Sequence, residues 1–111
     1  MTKYTPYIKE AIAALPIEAK IARQVYRDMK DSGHPIVKVW DGVEHEQVKN
    51  MTEMMELVFN LDEAWLMTAD GSWIRFILGN EWDAISDYTI DLEPIMEVTD
   101  RWVRAQESKR G

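Results

Sequence analysis

Residues 63–93 read EAWLMTADGSWIRFILGNEWDAISDYTIDLE and contain the strongest fold signal in the chain. Two apolar runs, residues 64–68 and 73–78, flank an Asp70-Gly71 pair. Asp-Gly between alternating apolar runs is typical of a β-hairpin with a two-residue turn, because both central residues of that turn need positive φ. With Ala69 opposite Ser72, the face expected to form the core carries Trp65, Met67, Ile74, Phe76 and Leu78. The other face is only partly apolar and carries Leu66, Thr68, Trp73, Arg75 and Ile77.

The sequence before this hairpin predicts a second one. Residues 36–40 are rich in β-branched and aromatic side chains and run into Asp41-Gly42, the same turn signal. Residues 43–48 are therefore expected to return as a partner strand, which places Lys38 opposite His45 and Trp40 opposite Val43. A competing interpretation begins a helix at Asp41 with a capping box. The hairpin is favoured because valine and tryptophan are poor helix formers.

Three helices are predicted in the first 60 residues. The first follows an N-cap at Thr5, has proline at its first position and ends near Leu15. The second runs from about residue 16 to residue 31, with apolar residues recurring every four positions. A third, short helix begins with a capping box formed by Asn50 and Glu53 and ends near Asn60.

The C-terminal third predicts one more strand and one more helix. Residues 83–90 alternate well enough for a third strand of the central hairpin, with Ala84, Ser86, Tyr88 and Ile90 on one side. A last helix, capped by Asp91 or Glu93, presents one apolar stripe of Leu92, Ile95, Met96, Thr99, Trp102 and Val103. Residues 106–111 have no apolar anchor and are expected to form a disordered tail.

These elements predict an α+β fold. At 111 residues the chain is expected to form a single domain, residues 1–111, with one core. The five strands, two β-hairpins plus a third meander strand, are expected to form one antiparallel sheet with helices packed on one face.

The charge is unevenly distributed along the chain. The net charge is −7, and residues 51–100 contain twelve acidic side chains and one basic one, Arg75. This distribution disfavours direct nucleic-acid binding and favours a protein partner with a basic surface. No run of about 18 apolar residues and no signal-peptide pattern is present, so we expect no membrane association and a cytoplasmic location.

No motif in the sequence predicts catalysis, and we expect neither a cofactor nor a metal ion. The chain has no cysteine, which excludes disulfides and thiolate nucleophiles. On a strand, Asp83 and Asp87 would lie about 13 Å apart, which is too far for shared metal ligation. Neither His34 nor His45 has sequence neighbours that predict a catalytic triad.

Tryptophans and acidic residues are the better candidates for a binding surface. Trp65 and Trp102 are expected in the core, whereas Trp40, Trp73 and Trp82 lie near turns or on the less apolar face. Exposed tryptophan beside acids is typical of a protein-binding hot spot, and the alternative is that these tryptophans are buried as lids over the edges of the sheet. The predicted partner-binding residues are Trp73, Arg75, Glu81, Trp82, Asp83, Asp87, Asp91 and Glu93. A secondary basic patch on the second helix, either solvated or a docking site for something anionic, comprises Lys20, Arg23, Arg27 and Lys30.

Several segments resemble small, mostly uncharacterised proteins of bacteriophages, prophages and plasmids. They are residues 39–44, VWDGVE, residues 61–63, LDE, and residues 71–80, GSWIRFILGN, followed by DAISDYT at 83–89. The resemblance covers residues 36–92. It implies a mobile-element setting, in which many small acidic proteins bind and block host machinery such as CRISPR effectors, restriction enzymes and polymerases.

The expected function is therefore that of a non-enzymatic inhibitor of a host protein, of the anti-CRISPR or another anti-defence type. Mimicry of the nucleic-acid backbone is one form that such binding takes, because a dense set of acids fits a basic groove. The alternative is a structural or regulatory homodimer without an inhibitory role, in which the basic patch of one copy meets the acidic half of another.

Overall fold

The computed structural model describes residues 6–110. Its helices and strands, in chain order, are α1 Pro6–Ala14, α2 Pro16–Asp31, β1 Ile36–Trp40, β2 His45–Gln47, α3 Met51–Val58, β3 Glu63–Thr68, β4 Trp73–Ile77, β5 Ile85–Tyr88 and α4 Glu93–Arg110. Single-turn 3-10 helices, Glu81–Asp83 and Ile90–Leu92, flank β5. The strands form one antiparallel sheet in the order β2-β1-β3-β4-β5, which confirms the predicted α+β fold.

The core lies between the helices and one face of the sheet. Every second residue of β3 and β4 is buried, and these side chains join apolar residues of all four helices in one cluster. The sheet contributes Ile36, Val39, Ala64, Leu66, Ile74 and Phe76 to it. The opposite face of the sheet is only partly buried, so its side chains are available to solvent.

The central hairpin forms, but its register differs from the prediction by one residue. Leu66 is paired with Ile74 and Met67 with Trp73, and the loop is Ala69-Asp70-Gly71, with Gly71 at φ 93°. A three-residue loop with glycine in the left-handed region is the next most common hairpin connection. Because side chains alternate along a strand, the one-residue shift places each β3 side chain on the face opposite to the predicted one.

The face predicted for the central hairpin is therefore corrected. Leu66 and Thr68 point into the core with Ile74 and Phe76, whereas Trp65 and Met67 lie on the open face together with Trp73, Arg75 and Ile77. Trp65 is not a core residue.

The first hairpin also forms, with a register two residues from the predicted one. Trp40 is paired with His45 and Lys38 with Gln47, and the loop is Gly42-Val43. The Asp41 carboxylate accepts the N–H groups of Val43 and Glu44 at 2.8 and 2.7 Å, which fixes the turn. A shift of two residues preserves which side chains of β1 and β2 share a face.

Most helix boundaries agree with the sequence prediction. The second helix spans residues 16–31 as expected, and Asn50 caps the third by accepting the N–H of Glu53 at 2.9 Å. The Thr5 cap lies outside the described residues. The stripe of α4 is buried or half-buried as predicted, but the helix continues through residues 106–110, where a disordered tail was expected.

The third strand of the meander is shorter than predicted. It covers residues 85–88, and its register against β4 shifts between Arg75 and Phe76. Ala84 is buried, whereas Ser86 and Ile90 are exposed, so the predicted alternation over residues 83–90 is wrong. A bulge breaks the two-residue period because one strand then places two residues opposite one.

Candidate functional site

The open face of the sheet carries a cluster of aromatic side chains, which we call the aromatic face. It is formed by Trp40, His45, Trp65, Met67 and Trp73, which line a cavity of about 400 Å³. The three tryptophans are half-buried. A pocket of this kind, apolar with few polar groups, is the usual form of a binding site.

One row of side chains runs across all five strands of this face. Strand pairing places His45 opposite Trp40, Trp40 opposite Trp65, Trp65 opposite Arg75 and Arg75 opposite Asp87. Cross-strand neighbours of this kind stabilise a sheet by direct side-chain contact. The row therefore joins the aromatic cluster on one side of the sheet to a carboxylate at its β5 edge.

Neighbouring aromatic rings in this row lie close together. The ring centroids of Trp40 and Trp65 are 4.7 Å apart at an interplanar angle of 53°, and His45 stacks on Trp40 at 6.0 Å. The guanidinium carbon of Arg75 lies 5.9 Å from the centre of the Trp65 ring. Arg75 also forms an ion pair with Glu63. The ring face of Trp65 thus already holds a cation, as expected from the negative potential above an indole.

A second surface, which we call the acidic edge, lies where β5 meets α4. Its members are the exposed carboxylates Asp87, Glu93, Glu97 and Asp100, grouped around the half-buried Tyr88. Burial and the negative charge of these four groups raise the pKa of the Tyr88 phenol above its ordinary value of about 10. The Tyr88 phenol therefore lies in a region of negative electrostatic potential.

Most of this negative charge is not neutralised by the protein itself. Asp87, Glu93 and Glu97 form no ion pair with any described side chain, whereas Asp100 lies 3.5 Å from Arg104. Arg104 also pairs with Asp83 at 3.2 Å and with Glu107 at 2.5 Å. The carboxylates without an ion pair therefore lie on β5 and on the first two turns of α4.

The predicted partner-binding residues separate into those that reach this surface and those that do not. Trp73 and Arg75 lie on the open face, and Asp87 and Glu93 belong to the acidic edge. Glu81 and Asp83 are exposed in the turn between β4 and β5.

Two predicted residues also make contacts within the fold. Trp82 is half-buried and packs against the core, and its carbonyl accepts a hydrogen bond from Arg104 at 3.1 Å. Asp91 accepts a hydrogen bond from the Ser72 hydroxyl, which together with Thr89 holds the pKa of its carboxyl below the usual range.

The sequence prediction missed several residues of the site. Glu97 and Asp100 follow Glu93 by four and seven positions, and this spacing places all three on one side of a helix. The sequence alone could therefore have predicted them. Trp65 and Met67 were missed because of the one-residue register error. His45 and Trp40 join the cluster only through pairing of three strands, which the sequence does not specify.

The secondary basic patch lies on α2, away from the sheet. Lys20, Arg27 and Lys30 are exposed and Arg23 is half-buried, and none of the four forms an ion pair with a described side chain. Arg27 donates a hydrogen bond to Gln24 at 3.2 Å. This patch is available for contact with an anionic surface.

A second concave region, a groove of about 550 Å³, lies between α1, β2 and α3. Of its carboxylates, Glu53 accepts the N–H of Lys49 at 2.8 Å and so belongs to the α3 cap. No group of three or more potential metal ligands occurs within the described part of the chain.

Two further findings bear on the kind of protein this is. Between residues 6 and 110, none of the helices combines the length and apolar character needed to cross a bilayer. Comparison of the chain with protein-family models, with curated proteins and with solved structures gives no match. A functional proposal therefore depends on the two surfaces described above.

Proposed function

We propose that this protein is a non-enzymatic binding protein that captures a host protein with a basic surface and inhibits it. The observation that carries this proposal is the acidic edge, where Asp87, Glu93 and Glu97 are exposed without ion-pair partners among the described side chains. Unpaired charges at a surface steer an oppositely charged partner into contact and suppress wrong partners.

The sequence resemblance to small phage, prophage and plasmid proteins supports the inhibitory part of the proposal. Such proteins meet nucleases and polymerases whose nucleic-acid grooves are lined by lysine and arginine, and a patch of carboxylates competes for such grooves. CRISPR effectors and restriction enzymes are accordingly the partners to test first, in the cytoplasm of the host cell.

Charge reversal at the acidic edge tests the proposal directly. We expect the triple variant Asp87→Lys, Glu93→Lys, Glu97→Lys to lose at least about tenfold in partner capture from bacterial lysate, since each lost charge contact weakens steering and docking. Bound protein should elute between about 0.1 and 1 M salt, because the Debye length falls from about 10 to about 3 Å. Quantitative mass spectrometry of the captured proteins provides the measurement.

A matched variant separates the acidic edge from total charge. Glu10→Lys, Glu44→Lys, Glu46→Lys changes three exposed acids elsewhere, and both variants move the net charge from −7 to −1, since each reversal adds two. Equal capture by the two variants would contradict the proposal. Inhibition is measured as phage plating efficiency on a host with an active defence system, which the protein should raise and the edge variant should not.

A second candidate function is self-association without inhibition. It is favoured by the basic patch on α2, since Lys20, Arg27 and Lys30 are exposed on the same molecule that carries the acidic edge. Two different surfaces that meet head to tail form rings or open chains. Sedimentation at about 0.05 and 0.5 M salt distinguishes the two functions, because a monomer at both concentrations excludes self-association through these charges.

A further inference from the structure

The aromatic face belongs neither to the core nor to the acidic edge. We infer that it docks a proline-rich segment of the partner, in which a basic residue follows the last docked proline by about three positions. This inference rests on the proposed function, since the basic residue is the one that meets the acidic edge.

The size of the open face argues against a second copy as its occupant. Five strands about 4.8 Å apart and strands of three to six residues with a rise of about 3.3 Å give a face of roughly 20 by 15 Å. That area, on the order of 300 Å², is well below the roughly 800 Å² per partner that a stable dimer buries. A short peptide fits a face of this size.

The chemistry of the face favours a polyproline conformation over an added strand. A sheet face presents side chains and no free backbone groups, so it cannot extend the hydrogen-bond ladder of a peptide. A polyproline II segment has no internal hydrogen bonds and keeps its backbone solvated, so it loses none when it docks. Its rings pack on flat aromatic surfaces, and such segments bind aromatic-lined grooves with a small loss of conformational entropy. Trp40, Trp65 and Trp73 line the cavity and provide aromatic surface of this kind.

The carboxylate of Asp87, near the cavity, determines where the basic residue of the docked segment lies. Asp87 lies two strands from Trp65 in the same cross-strand row, a distance of about 10 Å. A polyproline II chain advances about 3.1 Å per residue, so about three residues span that distance. An arginine or lysine at that position reaches Asp87 while its proline remains on the Trp65 and Trp40 rings.

Arg75 already shows which basic group suits this row. Its guanidinium lies over Trp65 and pairs with Glu63, so a cation between an indole and a carboxylate is compatible with the geometry. A partner arginine beyond Arg75 would add a second cation beside Asp87, an exposed acid without an ion pair among the described side chains.

The test uses the full chain and a fluorescent peptide of four prolines, two alanines and two arginines. Its controls replace the four prolines with alanines or the two arginines with glutamines. We expect anisotropy titration to give binding that is at least about tenfold weaker for the alanine peptide, because the apolar contacts are lost. The glutamine peptide should bind about threefold more weakly at low salt and equally at high salt.

Variants of the protein test whether the peptide binds at the aromatic face. Trp73→Leu keeps apolar bulk but removes the flat ring and should weaken binding about tenfold, and Asp87→Asn about threefold. Tyr7→Ala removes an exposed aromatic on α1, outside the face, and should leave binding unchanged. Circular dichroism confirms the fold of each variant, and Trp40→Leu replaces any variant that fails to fold.

The possible results separate this inference from the proposed function. Equal binding of the proline and alanine peptides overturns the inference and leaves recognition by the acidic edge intact. Binding of neither peptide also overturns it, whereas the proposed function is decided by the charge-reversal capture. Self-association that Trp73→Leu abolishes would make the face a dimer surface and would overturn it as well.

Discussion

The Glu18 carboxylate, on the first turn of α2, accepts the backbone N–H groups of Gly79 and Glu81 at 3.0 and 3.1 Å. Glu18 is only 2% exposed, and Glu81 has a φ of 51°, a conformation that costs a residue with a Cβ about 1–2 kcal/mol. We expect Glu18→Ala to lower the free energy of unfolding by about 2 kcal/mol, because two backbone donors lose their charged acceptor. Urea unfolding measures this change.

Glu18→Gln and Glu10→Ala complete that experiment. Both N–H groups bond the same carboxylate oxygen, and glutamine retains an acceptor oxygen but loses the charge, so about half of the loss should remain. Glu10 is exposed on α1, and its removal should change stability by less than about 0.5 kcal/mol. If Glu18→Ala were no worse than Glu10→Ala, the carboxylate would not anchor the turn. In the sequence Glu18 is an ordinary acid near a helix start, so its burial and its partners some sixty residues away were not predictable.

At the scale of elements, the register of the central hairpin gives a prediction with its own control. Leu66 and Met67 are adjacent and similar in size, but Leu66 is 0% exposed on the core side and Met67 lies half-buried on the open face. We expect Leu66→Ala to lower the free energy of unfolding by about 3 kcal/mol and Met67→Ala by about 1 kcal/mol or less. Urea unfolding of the two variants decides between the registers, since the register with Ala69 opposite Ser72 requires the reverse order.

Helices and strands were predictable where the deciding signal is local. Pro16 and the capping pair of Asn50 and Glu53 specify helix starts within one turn, and the α2 and α3 starts agree with the structure. The register of β3 and β4 was not predictable, because Asp70-Gly71 fits a two-residue loop and also the last two positions of a three-residue loop. That choice depends on burial of the whole hairpin, which favours Leu66 over Trp65 in the core.

At the scale of the whole molecule, only half of the candidate site was predictable. The acidic edge is built from β5 and α4, which are neighbours in the sequence, so Asp87 and Glu93 were found before the structure. The aromatic face brings together His45, Trp40 and Trp65 from three strands, and no local pattern specifies that meeting. A site that is assembled by strand pairing can be predicted only if the register of each of its strands is predicted correctly.

The turns of the molecule predict how its stability depends on pH. Backbone hydrogen bonds from Glu44 and Val43 lower the pKa of Asp41, the Thr68 hydroxyl lowers that of Asp70, and the Ser72 hydroxyl lowers that of Asp91. Folded pKa values below the unfolded value of about 3.9 mean that the unfolded chain binds more protons in acid. The stability that these carboxylates provide is therefore present above about pH 4 and is lost as the pH falls through their folded-state values.

The variant Asp41→Asn, Asp70→Asn, Asp91→Asn should therefore be less stable than the native protein near pH 6, and the difference should shrink as the pH falls from about 5 to about 2.5. Asp62→Asn, at an exposed position beside β3, provides the control and should leave the pH profile unchanged. Urea unfolding at a series of pH values gives the measurement. The asparagine amide is a weaker acceptor than the ionised carboxylate, but it is comparable to the protonated carboxyl that replaces it in acid. A stability difference that stays constant or grows in acid would therefore show that these side chains do not act through their charge.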